Sequence, residues 1–216
     1  SYDLRTTHGQ EATPVVVDGV MYASAPWGFV HALDGRTGQQ RWVFDPKVDD
    51  AITSKVCCGI VSRGLAFSAG RVFTASIDGQ LSALDAKDGK VLWHVDTIVD
   101  HERGYTDTGS PYVAGDVVVI GNSGGELDAR GYVSAYRLDS GELAWRFFTV
   151  PGSAEGPFEH PELEQAAKTW DPNSRWEVGL GGTVWDGMAY DANLNLLYIG
   201  VGNSPLYPRK LRSPKG

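Results

Sequence analysis

Cysteine is scarce in this sequence. There are two among 216 residues, and they are neighbours, Cys57 and Cys58. A framework of long-range disulfides is thereby excluded. Adjacent Cα atoms lie about 3.8 Å apart, whereas ordinary disulfides prefer roughly 4.4–6.8 Å. A bond between the two closes a small ring that crosslinks no loop. The pair is either two reduced thiols at a strand edge or a flat, rigid platform, and the pair alone leaves both open. No Cys-x-x-Cys-His is present, so no c-type haem attaches within this segment. No apolar run approaches 18 residues, the length that a membrane-spanning helix needs. Basic side chains are outnumbered, 19 Lys and Arg against 27 Asp and Glu, for a net charge of −8. That balance argues against nonspecific nucleic-acid binding. A phosphate-cradling Gly-x-x-x-x-Gly-Lys motif is missing. The five histidines, His8, His31, His94, His101 and His160, do not pair at zinc spacing and read as surface or packing residues. Ser62 and Ser123 have no evident base. No signal peptide is visible, and Ser1 in place of an initiator Met points to a processed or trimmed terminus.

What is abundant is glycine, tryptophan and tyrosine, at 27, 7 and 9 residues, with 42% hydrophobic residues overall. A chain of this length and composition can bury a real core. Three segments align without gaps: Ala32 to Trp42, Ala83 to Trp93 and Ala135 to Trp145. Their tryptophans are 51 and 52 residues apart. Each segment predicts a strand, a turn ending in Gly38, Gly89 or Gly141, and a second strand carrying Trp. A β-branched run opened by Gly19, Gly70 or Gly115 precedes each copy. A fixed period near 50 with several short strands per period predicts an all-β propeller. A β-sandwich with similar hairpins is the alternative. Blades are expected near residues 12–50, 64–97, 110–150 and 183–216.

The third copy carries an insertion. Gly19 to Ala32 and Gly70 to Ala83 each span 13 positions, but Gly115 to Ala135 spans 20. The extra seven fall within Gly121 to Gly131. Its small residues allow close backbone approach to a ligand, and Glu126 brings a hard oxygen donor. A solvated surface loop is the plainer reading. Residues 151–180 interrupt the repeat, with one short helix expected over Pro161–Trp170. A strand is expected over Leu196–Val201, leading into Gly202-Asn203-Ser204.

On successive blades this leaves Glu11, the cysteine pair, Arg63, Glu126, Trp185 and Asn203. Strand ends of a propeller converge on its axis, so these residues can meet. A planar anionic ligand with a hard cation suits them. The cysteines could cover one face and Trp185 the other, Arg63 could hold carboxylates, and Glu126 with Asn203 could supply oxygens to Ca²⁺.

The sequence resembles the N-terminal part of the pyrroloquinoline-quinone (PQQ) dependent alcohol dehydrogenases of the quinoprotein and quinohaemoprotein type. The resemblance covers essentially the whole chain. It rests on Gly9-Gln10-Glu11-Ala12-Thr13-Pro14, on Cys57-Cys58 followed by Arg63-Gly64, and on Thr106-Asp107-Thr108-Gly109. Ser123-Gly124-Gly125-Glu126, Gly182-Thr183-Val184-Trp185-Asp186, Gly202-Asn203 and the blade repeat itself complete it. The resemblance implies that Cys57 and Cys58 form a vicinal disulfide on one face of the quinone, with Trp185 stacked on the other. It implies cofactor contacts from Glu11, Arg63, Thr108, Ser123, Gly124, Gly125 and Thr183. It implies that Glu126 and Asn203 ligate Ca²⁺, with a lanthanide as the other candidate. The implied activity is periplasmic oxidation of an alcohol, with hydride passing to the quinone and electrons to a cytochrome c or haem domain.

The family has about eight blades, and at this period the chain holds roughly four. The family's Asp base lies past Gly216, so this segment alone is expected to be inactive and to need the rest of the propeller. Arg212-Ser213-Pro214-Lys215-Gly216 has no look of a natural end. Leu180 interrupts what is usually a glycine run, and Ser204-Pro205-Leu206-Tyr207 departs from the usual Gly-Ser-Pro-Trp. The alternative function is a non-catalytic propeller module for binding or assembly. That module does not need the adjacent cysteines together with Glu126 and Asn203.

Overall fold

The computed structural model describes residues 2–205 and 207–213. Leu206 and positions 214–216, which belong to the departures noted at the end of the chain, lie outside the described residues. The architecture is a row of antiparallel sheets, each a meander of sequential strands. The first sheet contains β1 (Val15–Val17), β2 (Val20–Ala25), β3 (Phe29–Asp34) and β4 (Gln40–Phe44). The second contains β5 (Ala66–Ser68), β6 (Arg71–Ala75), β7 (Gln80–Asp85) and β8 (Val91–Asp96). The third contains β9 (Tyr112–Ala114), β10 (Val117–Gly121), β11 (Tyr132–Arg137) and β12 (Leu143–Phe148). A fourth sheet has two strands among the described residues, β13 (Met188–Asp191) and β14 (Leu196–Ile199). This is the propeller that the tryptophan period predicts, with three complete blades and a partial fourth.

The repeat works the same way in each complete blade. Ala32, Ala83 and Ala135 stand opposite Trp42, Trp93 and Trp145 across the last two strands. A register shift follows each alanine. The three alanines are fully buried, so only a small side chain fits there. The intervening turn needs its glycine, because Gly38, Gly89 and Gly141 all have φ between 73° and 75°. In the first copy the Asp34 carboxylate accepts the backbone N–H groups of Arg36 and Thr37. The Arg41 guanidinium first, then the Thr37 backbone and hydroxyl and the Arg36 backbone, hold its carboxyl well below the usual carboxylate range.

Blades join through the same tryptophans. Trp42 Nε1 donates to the Ala86 carbonyl and Trp93 Nε1 to the Leu138 carbonyl, each at 3.1 Å. Each indole also covers the turn glycine of the next blade, Gly89 for Trp42 and Gly141 for Trp93. Apolar side chains fill the space between sheets, with Val72 and Leu84 against Val30 and Ala32, and Val118 and Ile120 against Phe73 and Leu81.

Two segments depart from the repeat. The 149–187 stretch carries helix α1 (Pro161–Ala167), shorter than the predicted Pro161–Trp170, because the chain turns after Ala167. The expected strand over Leu196–Val201 ends at Ile199, and a short helix α2 (Arg209–Arg212) follows.

Candidate functional site

The ends of the blades nearest the loops enclose a cavity of about 320 Å³. Cys57 and Cys58 lie on its wall and are joined by a disulfide with their Cα atoms 3.8 Å apart. That settles the choice left open by the sequence. The pair follows a 3₁₀ turn over Asp50–Lys55, whose N-terminus is capped by the Asp49 carboxylate. Trp185 lines the same cavity, as do Arg63, Thr108, Ser123, Gly124 and Glu126.

Arg63 is the hub. Its backbone N–H and its Nη1 both donate to the Thr108 carbonyl at 3.2 Å. Its Nη2 stands 3.0 Å from a Glu11 carboxylate oxygen. Its guanidinium lies 4.7 Å from the centroid of the Trp185 ring, a cation–π contact. Glu11 therefore reaches the site through Arg63. Thr108 Oγ1 and Ser123 Oγ share a hydrogen bond of 2.6 Å, and Ser123 N donates to the Thr106 carbonyl. Two hydroxyls sharing one bond leave one proton to offer a ligand.

Asp107, between the two threonines, is fully buried. One of its oxygens accepts from Gly109 N, and the other has no hydrogen-bond partner among the described residues. Burial pushes its carboxyl well above the usual range, and nearby Asp78 adds to the effect.

The inserted loop folds against the 101–104 turn. A side chain at Gly124 (φ 93°) would put its Cβ 1.9 Å from the Gly104 carbonyl oxygen. Gly125 rests on the Thr183 side chain, which is buried behind the loop. Gly202 N donates to the Thr183 carbonyl, and Gly202 also packs against the Trp185 indole. Residues 179–182 are consecutively left-handed, with Leu180 at φ 63° and buried. Leu180 thus takes up the backbone conformation of a glycine while filling the core.

The described residues place Glu126 on the cavity wall and Asn203 outside it. The Asn203 amide group donates to the Ser204 carbonyl. Among the described residues no group of three or more His, Cys, Asp or Glu is arranged to hold a metal ion. A hard cation takes about six to eight oxygens, so Glu126 and Asn203 can supply only part of a shell. Lys55, Val56, Val61, Thr106 and Leu127 also line the cavity, and sequence reasoning missed them. Lys55 sits two residues before the cysteine pair, which was its one available signal.

Residues 2–208 match the family model described as "PQQ: Glucose/ethanol/alcohol dehydrogenase, beta-propeller domain". The quinohemoprotein alcohol dehydrogenase of Comamonas testosteroni is 49% identical over 217 residues, covering 100% of this chain and 31% of that protein. Its crystal structure superimposes with a TM-score of 0.96. Quinohemoprotein alcohol dehydrogenase ADH-IIG of Pseudomonas putida is 51% identical over 99% of this chain and 30% of its own length, and its structure gives a TM-score of 0.95. A europium-containing methanol dehydrogenase is 33% identical at a TM-score of 0.86, over 98% of this chain and 38% of that one. The chain therefore spans about 30% of the length of the curated relatives it matches.

Proposed function

Because this chain belongs to the family of PQQ-dependent glucose, ethanol and alcohol dehydrogenase β-propeller domains, we propose that the protein containing it oxidises alcohols with PQQ held in the cavity described above. The observation that carries this reading is that the Cys57–Cys58 disulfide, Trp185 and Arg63 line one cavity. Two flat apolar walls and a guanidinium suit a planar anion. When bound, such a group would accept hydride from the alcohol, and a cation held by Glu126, with Asn203 and further oxygens of the complete protein filling its shell, would act as a Lewis acid.

The chain's own residues bind and orient. The disulfide and the Trp185 indole exclude water from the two faces of the ring. Arg63, held in place by Glu11 and by the Thr108 carbonyl, presents a fixed positive charge to carboxylates. The Thr108 and Ser123 hydroxyl pair offers a proton at the ring edge. Gly124 and Gly125 let backbone approach closely, while Thr183 and Gly202 hold Trp185 from behind. Ca²⁺ is the cation favoured by the oxygen donors, and a lanthanide is the alternative. The base that takes the alcohol proton, the cytochrome or haem acceptor and a periplasmic location complete the proposal.

The test is a quinone titration of the complete protein and its Trp185→Ala variant. Loss of one stacking wall should raise the Kd for PQQ by roughly tenfold to a hundredfold. Equal affinity in the two proteins would show that the ring does not sit on Trp185.

A further inference from the structure

The wall that carries the disulfide is weakly tied down. Residues 50–59 form the Asp50–Lys55 turn and the cysteine loop, and none of them is buried. A wall of this kind moves unless something fastens it. It is fastened at its two ends. One is the far end, where Ile60 and Val61 are buried, the Ser62 hydroxyl donates to Ser24 Oγ and Arg63 is bonded to the Thr108 carbonyl. The other is Lys55, immediately before Val56. Its Nζ donates to the His101 carbonyl at 2.5 Å and to the Arg103 carbonyl at 3.4 Å.

The turn that receives Lys55 is itself fixed from two other directions. Gly104 N donates to an Asp128 carboxylate oxygen at 2.6 Å, and Arg103 Nη2 donates to the Glu177 carbonyl. Leu127, on the cavity wall, packs against Gly104. The 101–104 turn thus joins the cysteine loop, the inserted loop that carries Glu126, and the 151–180 insertion. Lys55 is half-buried and lines the cavity with no carboxylate partner among the described residues, so its charge is spent on two backbone carbonyls.

We propose that Lys55 is a positioning residue of the cofactor cavity, a latch that fastens the disulfide-bearing loop to the 101–104 turn. It acts through the loop, and its loss opens the wall locally while leaving the blades intact. The inference rests on the quinone reading only for its second measurement below. Its first measurement needs no cofactor.

The experiment compares the complete wild-type protein with Lys55→Met and Lys55→Arg. Met keeps the apolar stem and removes the donor, while Arg restores a donor of similar reach. The first readout is the rate at which a thiol reductant opens Cys57–Cys58 in cofactor-free protein, followed by thiol titration. The expected result is reduction about tenfold faster in Lys55→Met, the order of a lost charge-assisted bond. Lys55→Arg should return toward wild type, and the melting temperatures of all three should agree within about 2 °C. The second readout is the release rate of PQQ, which should rise in Lys55→Met and recover in Lys55→Arg. Equal reduction rates in all three proteins would overturn the latch. A fall in melting temperature that accounts for the faster reduction would also overturn it, by making Lys55 a residue of the general fold. Faster reduction in Lys55→Met with no PQQ binding in any of the three would support the latch and refute the quinone reading.

Discussion

Asp107 shows how one residue can be tuned chiefly by burial. Its carboxyl is fully enclosed, with one backbone donor and one oxygen unpartnered among the described residues. A charge there would be costly, so the folded state keeps the proton to a higher pH than the unfolded chain does. The raised folded pKa makes its contribution fully present below the unfolded value, near pH 4, and lost as pH rises through the folded value. Asp107→Asn removes that loss and keeps the shape. Denaturant unfolding should find the variant more stable than wild type at pH 7 to 8, with the difference shrinking toward pH 4. A variant less stable than wild type at every pH would mean that Asp107 is ionised and paired in the fold. The neighbouring residues tell a related story about what sequence can show. Arg63 and Trp185 could be nominated because their types suit a planar anion, and Thr108 because of the resemblance. Lys55 could not, because its partners are carbonyls 46 and 48 residues away, and any residue type carries a carbonyl.

At the scale of elements, the recurring unit is a strand, a glycine turn and a tryptophan that serves the next blade. Trp93 Nε1 gives its proton to the Leu138 carbonyl while its ring covers Gly141. Trp93→Phe keeps most of the ring and loses the bond. It should cost about 1 kcal/mol in unfolding free energy, whereas Gly141→Val, which must force a left-handed turn and displace the indole, should cost more. Unfolding curves for the pair check the order, and a larger loss in Trp93→Phe would contradict it. This unit was legible in the sequence because the spacing of Trp, Gly and Ala is set by local geometry that repeats. The bonded state of Cys57 and Cys58 was not, since adjacent thiols satisfy a strand edge as well as a ring. The length of α1 was also misread, as the turn after Ala167 is made by backbone bonds without a proline or glycine to mark it.

For the whole molecule, the blades bring together side chains from residue 11 to residue 185 around one cavity. Trp145 shows the repeat running past the third blade: its indole is 41% exposed and lines a groove with Tyr190, Asn195 and Leu197 of the two-stranded sheet. Asn203 is not among the residues lining the cavity, so the proposed cation would need oxygens beyond those gathered here. The central claim is that a quinone occupies the space between the disulfide and Trp185. Its most direct test is mass spectrometry of the complete protein, reconstituted with PQQ and Ca²⁺, freed of excess ligand and then denatured without reductant. The account predicts about one PQQ released per chain, with the polypeptide two hydrogens lighter than its reduced form at Cys57 and Cys58. A chain with two free thiols and no retained quinone would contradict it.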